Sequence, residues 1–295
     1  MHAQILETFF DNVLRDIDAA AGKKDADIYQ VFNQLYDDDL WNILLLRNYT
    51  KYQNILNLLP EWPSPELQRS WVGNHGFDLS HQTLSFYKKA KEYYRIFGRR
   101  QVAEANILDF GCGWGRILRY FAKDVPNNQL FGCDPDSEIF ELCCKLRVRG
   151  ILRRSEFRPK SLPFSEKFDL VYAFSVFTHL SEATQMECLE AIHEGMHPGG
   201  LLVVTIRPRS FIDVLGNELK NANKKVIEQL YRAYDFGEYT FFPHNRAPIG
   251  GDITYGDTCI PLGYIQKKWT KLFKVTGIGM YCADMNQIPV LLQRN

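Results

Sequence analysis

Hydrophobic side chains recur at helical spacing through much of the first hundred residues. Over residues 5–17 they alternate with charged residues in the pattern of an amphipathic helix. The longest run of this kind ends at Pro60, because proline cannot continue a helix. The pattern predicts helices over residues 5–17, 28–36, 40–59 and 77–97. We therefore expect an N-terminal helical cap over residues 1–100, with a turn or linker at residues 61–65.

Short apolar runs replace the helical pattern after residue 100. Such runs, bounded by glycine, proline and polar residues, predict strands that are buried on both faces of a parallel sheet. The predicted strands cover residues 106–110, 130–134, 168–174 and 201–205. Two further runs, residues 273–282 and 288–293, should pair as an antiparallel hairpin. The pattern predicts an α/β protein.

Three glycines at alternate positions follow the first predicted strand. They are Gly111, Gly113 and Gly115. Without β-carbons these residues permit positive φ angles and let a ligand approach the backbone closely. A helical pattern resumes at residues 116–122, and the free amides at a helix start can bind a ligand. The stretch therefore predicts a ligand site built as strand, turn and helix.

The spacing of the glycines separates two classes of nucleotide ligand. The dinucleotide fingerprint Gly-x-Gly-x-x-Gly would need its third glycine at position 116, which is Arg116. Asp134 ends the next strand about twenty residues later, where a carboxylate can accept hydrogen bonds from ribose hydroxyls. Both observations indicate an adenosine-type ligand, and the first argues against a nicotinamide oxidoreductase.

Four motifs in a fixed order carry a family resemblance. They are D-x-G-x-G-x-G from Asp109, an acid after the second strand at Asp134, F-D-x-V at residues 168–171 and P-G-G at residues 198–200. Over residues 103–207 the chain resembles the class I S-adenosylmethionine-dependent methyltransferases. The resemblance implies a Rossmann-like α/β fold, with a seven-stranded, mostly parallel sheet and an antiparallel terminal hairpin. It also implies S-adenosylmethionine as cofactor and places the methyltransferase domain at residues 101–295.

The resemblance assigns a set of residues to the methyl-donor site. These are Asp109, Gly111, Cys112, Gly113, Trp114, Gly115, Asp134, Pro135, Ser161, Leu162, Phe174 and Ser175. Trp114 and Phe174 are candidates for contact with adenosine or the sulfonium, although packing alone would also explain both. The resembled enzymes often place a carboxylate against adenine before the fourth strand, and residues 161–164 contain none. Adenine recognition would then use backbone groups near Ser161 and Leu162, or an acid that the sequence does not identify.

The core pattern lapses between Arg207 and Phe273, a gap too long for a simple connection. The gap contains helical patterns at residues 212–219 and 226–234, and aromatic and polar stretches, expected as loops, at residues 239–246 and 249–257. We predict that residues 208–272 form an insertion before the sixth strand that binds a polyhydroxylated acceptor. An ordinary surface excursion explains any single residue of it equally well.

Three further stretches indicate the kind of acceptor. F-S-V-F-T-H-L at residues 174–180, Y-G-D-T at residues 255–258 and Q-I-P-V-L-L at residues 287–292 resemble bacterial methyltransferases associated with glycan and surface-polysaccharide synthesis. The resemblance implies O-methylation of a hydroxyl on a small molecule or glycan. Because a hydroxyl is a poor nucleophile until its proton is removed, we predict His179 as general base. His244 and Asp257 are alternatives, and a structural role for His179 is another.

Two other functions compete with this prediction. N-methylation of a protein or nucleic acid has support only from the basic run at residues 147–160, which a solvated helix end and loop explains better. The chain has 35 lysines and arginines against 35 aspartates and glutamates, so no net charge attracts nucleic acid. A scaffold that binds S-adenosylmethionine without catalysis is the alternative from another class, because an intact cofactor loop does not establish turnover.

Cysteine usage and hydropathy indicate the compartment. The seven cysteines are scattered and contain no C-x-x-C pair, which favours a reducing environment. No stretch resembles a signal peptide or reaches the ~18 apolar residues of a membrane span, so we expect a cytoplasmic protein. The histidines show no metal-ligand spacing, and we predict no metal.

The N-terminal segment suggests two further features. It is rich in aspartate, which argues against a membrane surface and favours intramolecular packing or a homo-oligomer. Trp71, followed by Gly73 and Gly76, is expected to form a lid.

Overall fold

The computed structural model describes residues 2–218, 224–279 and 283–295. Its first helices are α1 (His2–Phe9), α2 (Asp11–Ala21), α3 (Ile28–Phe32), α4 (Asp38–Leu46), α5 (Gln53–Leu58), α6 (Pro65–Val72) and α7 (Gly76–Phe97). The N-terminal segment is therefore helical, as its pattern predicts. Leu6 and Leu14 are buried, but Phe9 and Val13 are exposed, so the buried face is narrower than the pattern indicates. A homo-oligomer through these helices stays a prediction.

Two of the predicted helices are interrupted. Phe10 separates α1 from α2 with a non-helical backbone at φ −120° and ψ 4°. Arg47 ends α4 in the left-handed region at φ 58°, so the prediction of one helix over residues 40–59 was wrong. The guanidinium of Arg47 donates to the carbonyls of Leu56 at 2.5 Å and Leu59 at 2.9 Å. The residue that breaks the helix thus binds carbonyls at the end of α5.

Nine strands and six further α-helices follow along the part of the chain that the structure describes. The strands are β1 (Ile107–Phe110), β2 (Leu130–Asp134), β3 (Ile151–Arg154), β4 (Phe168–Ala173), β5 (Met196–Ile206), β6 (Thr240–Pro243), β7 (Gly256–Cys259), β8 (Phe273–Ile278) and β9 (Ile288–Arg294). The helices are α8 (Leu118–Phe121), α9 (Glu138–Lys145), α10 (Glu182–Gly195), α11 (Phe211–Glu218), α12 (Lys224–Asp235) and α13 (Leu262–Lys268).

Seven strands form one sheet in the order β3-β2-β1-β4-β5-β9-β8. β1 and β2 are parallel, as are β4 and β5, whereas β9 runs antiparallel to both β5 and β8. The predicted seven-stranded, mostly parallel sheet with an antiparallel terminal hairpin is confirmed. β4 is buried along its whole length, and its sequence is apolar at every position except Asp169. Residues 280–282 of the predicted hairpin, including Cys282, lie outside the described residues.

The basic run at residues 147–160 contains an edge strand, β3, where the sequence predicts a helix end and loop. Exposed arginines on an edge strand discourage pairing with another chain, which explains how a strand can carry so basic a sequence. Two arginines of the run form ion pairs within the chain: Arg147 with Glu61 at 3.0 Å, and Arg158 with Glu187 at 2.6 Å.

The segment after β5 has a small core of its own. Phe211, Ile212, Leu215, Leu230 and Cys259 are buried together, with side chains of α11, α12 and β6 packed around them. The predicted loops at residues 239–246 and 249–257 include β6 and the start of β7, which pair antiparallel as a separate two-stranded sheet. Thr240 reinforces this pair, because its hydroxyl donates to the carbonyl of Cys259 at 2.7 Å. The helix predicted at residues 212–219 is α11, and Leu219 lies outside the described residues.

By packing, the chain divides into two compact units. The first contains residues 1–92 and 100–153, and the second contains residues 93–99 and 154–295. The boundary at residue 100 between cap and catalytic domain stays a prediction. Within the part of the chain described above, every helix is too short or too polar to cross a membrane.

Candidate active site

The glycine loop after β1 folds over the end of β2. Gly111, Gly113 and Gly115 have φ angles of 78°, 49° and 73°, a left-handed conformation that favours glycine. The amides of Gly111 and Cys112 both donate to the carbonyl of Cys133, at 2.8 and 3.0 Å. The predicted turn therefore exists, and its shape depends on the absence of side chains.

Asp134 lies directly beside this loop. Its Oδ2 accepts from the amide of Gly113 at 3.0 Å, and its Oδ1 accepts from the amide of Asp136 at 3.0 Å. Burial raises the pKa of Asp134, although both amide hydrogen bonds favour the ionised carboxylate. A carboxylate has about four lone-pair sites, so each oxygen keeps capacity for a hydroxyl donor. This arrangement fits the ribose-binding role predicted for Asp134.

Two glycines of the loop are required for different reasons. A β-carbon on Gly115 would lie 2.5 Å from Cγ1 of Val148, so packing leaves no room for a side chain. A β-carbon on Gly113 would meet only the indole of Trp71, at 3.6 Å. Gly115 thus serves packing, whereas Gly113 leaves a gap between the loop and the indole of Trp71.

Two loop side chains face the interior. Cys112 packs against Ile139 and Cys143, and burial raises the pKa of its thiol well above the usual range. The indole of Trp114 is only 1% exposed, and its ring lies 5.4 Å from that of Trp62. Packing therefore accounts for the side chain of Trp114, and donor contacts of Cys112 and Trp114 stay predictions.

The buried side chain of Arg119 bonds the backbone of the glycine loop, a role that was not predicted from the sequence. Its guanidinium is fully buried and donates to the carbonyls of Gly115 at 3.1 Å and Glu61 at 2.9 Å. It lies between the rings of Trp62 and Trp114, 4.8 and 4.9 Å from their centroids. Burial lowers the pKa of Arg119 to about 10, so it remains charged at neutral pH. The sequence offers one indication of this role: Arg119 lies on the apolar side of a helical pattern, four residues after Gly115.

The other predicted donor residues belong to the second unit. Ser161 is exposed, and the side chain of Leu162 packs against Gly195 of α10. Phe174 is partly buried. Ser175 has a φ of 59°, its amide donates to the hydroxyl of Thr205 at 2.8 Å, and its own hydroxyl accepts from Gln287 at 3.0 Å. Their contacts with a donor stay predictions.

His179 follows β4 and is held on both ring nitrogens. Nδ1 lies 2.8 Å from the carbonyl of Gly256, which can only accept, so Nδ1 carries the proton. Nε2 accepts from Nη2 of Arg207 at 3.1 Å. Burial and the neighbouring Arg207 charge lower the pKa of His179 to about 4. The imidazole is therefore neutral at neutral pH, and its proton-accepting nitrogen is occupied.

Asp257 joins Arg207 to a second histidine. Its Oδ1 accepts from Nη1 of Arg207, and its Oδ2 lies 2.7 Å from Nε2 of His244. The carboxylate is 12% exposed. Burial opposes its ionisation, but the hydrogen bond from His244 and the charge of Arg207 outweigh burial and lower the pKa of Asp257. A fixed carboxylate thus orients the imidazole of His244.

Backbone pairing brings these side chains together. The amide of Gly256 donates to the carbonyl of His179 at 2.8 Å, and the amide of Thr258 donates to that of Thr178 at 3.0 Å. The ring of Tyr255 stacks on that of His179, with centroids 4.9 Å apart and planes 1° from parallel. We call His179, Arg207, His244, Tyr255 and Asp257 the histidine cluster.

Comparison with known proteins identifies the domain that contains the glycine loop. Residues 108–202 match a family model described as a methyltransferase domain. Residues 108–202 are a methyltransferase domain. The methyltransferase domain begins in β1, includes the glycine loop, Asp134 and His179, and ends in β5. The predicted resemblance to class I S-adenosylmethionine-dependent methyltransferases is confirmed for domain and fold.

Curated relatives match the same part of the chain. An uncharacterised protein of Rickettsia prowazekii is 29% identical over 105 residues, which are 34% of this chain and 42% of the relative. An uncharacterised methyltransferase of Schizosaccharomyces pombe is 33% identical over 104 residues, 32% of this chain and 37% of the relative. Each match thus covers less than half of the relative's own length.

A solved structure shares the fold over a longer span. It is an S-adenosylmethionine-dependent methyltransferase from Clostridium acetobutylicum, with a TM-score of 0.51 and 10% identity. The similarity covers 78% of this chain and 97% of that chain. At 10% identity this similarity shows that the two chains share a fold over the matched span.

Proposed function

We propose that this chain transfers the methyl group of S-adenosylmethionine to a hydroxyl of a small molecule or glycan. The match of residues 108–202 supports the donor. The observation that carries the choice of a hydroxyl is the 2.7 Å contact between His244 and Asp257, because this pair can accept a proton. An acceptor of this kind requires such a group.

The residues of the first unit suit an adenosine-type donor. Asp134 offers free lone pairs for ribose hydroxyls, and the missing β-carbon of Gly113 leaves the backbone open to close approach. S-adenosylmethionine supplies an activated methyl group on a sulfonium, so no metal is needed for the displacement. The chain's task is to hold the donor in a fixed orientation, and positioning of this kind can account for much of a rate enhancement.

His244 takes the acceptor proton in this proposal. Because Asp257 can only accept, Nε2 of His244 carries a proton in the neutral ring, and Nδ1 is the basic nitrogen. Among the described residues, no hydrogen-bond partner occupies Nδ1. The side chain is 36% exposed, so an acceptor can reach it. A carboxylate that orients a histidine in this way also stabilises the imidazolium after proton transfer.

His179 has a positioning role in the same proposal. Its basic nitrogen already accepts a hydrogen bond from Arg207. Burial and the Arg207 charge lower its pKa to about 4, so His179 is a weak base. It holds Arg207, which in turn holds Asp257 in its ionised form. We therefore assign the role of general base, predicted from the sequence for His179, to the predicted alternative His244. Asp257, the other alternative, orients His244.

Contacts among the three stretches that resemble glycan-associated methyltransferases support a glycan acceptor. Residues 174–180 and 255–258, both similar to glycan-associated methyltransferases, pair through His179 and Gly256. Gln287, the first residue of the third stretch, donates to Ser175 at 3.0 Å. The basic run gives less support to a nucleic-acid acceptor, because Arg147 and Arg158 already form ion pairs.

The test is methyl transfer from labelled S-adenosylmethionine to a panel of sugars, nucleotide sugars and small hydroxyl compounds. We expect label in a hydroxyl-bearing acceptor, and we expect His244→Asn to abolish most of it. His81→Asn, which removes an exposed histidine of α7, is the matched control. Label on protein or nucleic acid amines would favour the N-methyltransferase alternative. Donor binding without transfer to any acceptor would favour the inactive scaffold.

A further inference from the structure

Trp71 is an exposed tryptophan beside the glycine loop. It lies near the end of α6 and is 44% exposed. Two atoms of its six-membered ring lie 3.6 and 3.8 Å from the place that a β-carbon on Gly113 would occupy. We propose that Trp71 is a wall of the donor site and packs on the nucleoside of the donor. This inference rests on the proposed function, in which the loop binds S-adenosylmethionine.

Packing within the protein does not account for this side chain. Its neighbour Val72 is part of a hydrophobic cluster with Trp62, Leu79 and Trp114, and so already anchors the end of α6. The indole of Trp71 itself lies over Gly113, 3.6 Å from the place of a β-carbon on that residue. A tryptophan carries a large apolar area, and leaving nearly half of it in water forgoes stabilisation that a bound ligand would restore.

The helix that carries Trp71 is fixed at both ends. Ser64 caps its start by accepting from the amide of Leu67, and Gly73 ends it in the left-handed conformation. Gln68 is buried and ties both flanks together: it donates to the carbonyl of Pro63 at 2.7 Å and accepts from the amide of Gly76 at 3.0 Å. These bonds favour a preformed wall over the moving lid that the glycines suggest.

The position of Trp71 indicates which part of the donor it contacts. The amide of Gly113 donates to Asp134, so the residue beneath the indole is bonded to the carboxylate expected to bind ribose. The nucleoside is common to S-adenosylmethionine and its product S-adenosylhomocysteine. Trp71 should therefore strengthen the binding of both compounds equally, whereas a contact with the sulfonium would strengthen only the first.

Calorimetry on the full chain tests the inference, with S-adenosylmethionine and S-adenosylhomocysteine as titrants. We expect Trp71→Ala to raise both dissociation constants about 5- to 150-fold, the range for removing an aromatic platform from beneath a base. Trp71→Phe should recover most of the affinity. Tyr36→Ala removes another exposed aromatic ring of the first unit and should leave both constants unchanged. Tryptophan fluorescence should change on titration of the wild-type protein and change less in Trp71→Phe.

Other results would overturn the inference. An unchanged dissociation constant in folded Trp71→Ala would assign the indole to another role, and a loss confined to S-adenosylmethionine would move the contact to the sulfonium. Binding of the two titrants by the wild-type protein is the separate measure of the proposed function. If neither binds, the proposed function fails, and this inference with it.

Discussion

Nη2 of Arg207 lies 3.1 Å from Nε2 of His179, and Nη1 of the same guanidinium donates to Asp257. One arginine thus occupies the basic nitrogen of one histidine and holds the carboxylate that orients another. The two histidines are therefore not equivalent: both ring nitrogens of His179 are bonded, whereas no described residue bonds Nδ1 of His244. The difference gives them different expected phenotypes.

His244→Asn should lower turnover by ~10²- to 10⁴-fold, the usual contribution of a positioned base, with donor affinity nearly unchanged. His179→Asn should retain much more activity, because its amide nitrogen can replace Nδ1 in the bond to the carbonyl of Gly256 and His244 is left in place. Single-turnover rates and donor dissociation constants on both variants provide the comparison. A larger loss of rate in His179→Asn, at normal thermal stability, would restore His179 as the base.

Asp134→Ala should weaken donor binding by about 1–3 kcal/mol, because ribose hydroxyls lose a charged acceptor. The same variant also leaves the amides of Gly113 and Asp136 without their acceptor. Isothermal calorimetry with S-adenosylhomocysteine measures the effect, and Glu138→Ala, which removes an exposed carboxylate nearby, is the control. NAD should not bind either protein, and tight NAD binding would contradict the assignment of the loop.

The parts of the site that the sequence predicts well are local in the chain. Gly111, Gly113 and Gly115 report their own backbone conformation, and Asp134 is placed by the parallel pairing of β1 and β2. The glycine loop and its contact with Asp134 could therefore be predicted from contiguous motifs. Arg119 was missed because its partners are backbone carbonyls, which leave no mark on a residue pattern.

The histidine cluster could not be predicted in the same way. His179 and Gly256 are 77 positions apart, and their contact depends on how residues 254–258 pair with residues 178–181. Short strands such as β6 and β7, with aromatic and polar residues, have too few positions to show an alternating pattern. The sequence therefore identified His244 and Asp257 as candidates, but not the bond between them.

The histidine cluster should make the fold sensitive to acid. Burial and Arg207 lower the pKa of His179 from 6.5 to about 4, so between these values the unfolded chain binds more protons than the folded one. The stability that comes from a neutral His179 is present above pH 6.5 and is lost as the pH falls towards 4. The lowered pKa of Asp257 acts in the same direction, below pH 3.8.

Chemical denaturation between pH 7 and pH 4.5 measures this loss, which for one proton is at most about 1.4 kcal/mol per pH unit. His179→Asn removes the titrating group and should flatten the profile over the same range. An identical slope in the variant and the wild-type protein would show that other groups account for the acid sensitivity.

Gly113 and Gly115 should differ in what their replacement disturbs. Gly115→Ala should destabilise the fold by about 2–4 kcal/mol, from left-handed strain and from overpacking against Val148, 2.5 Å from the new methyl group. Gly113→Ala should lower stability by only about 1–2 kcal/mol, because strain is its main cost. Its nearest neighbour, Trp71, lies at an ordinary contact distance of 3.6 Å.

Urea unfolding of both variants, with donor titrations in parallel, separates the two effects. The double variant Gly115→Ala with Val148→Ala should recover part of the lost stability, because it removes the clash but not the strain. Gly113→Val should reduce both donor binding and stability, since its branched side chain extends towards the indole of Trp71 and the side of the loop where the donor is expected. Normal donor affinity in folded Gly113→Val would place the donor away from Gly113, because a donor that approaches this backbone cannot share the space with two added methyl groups.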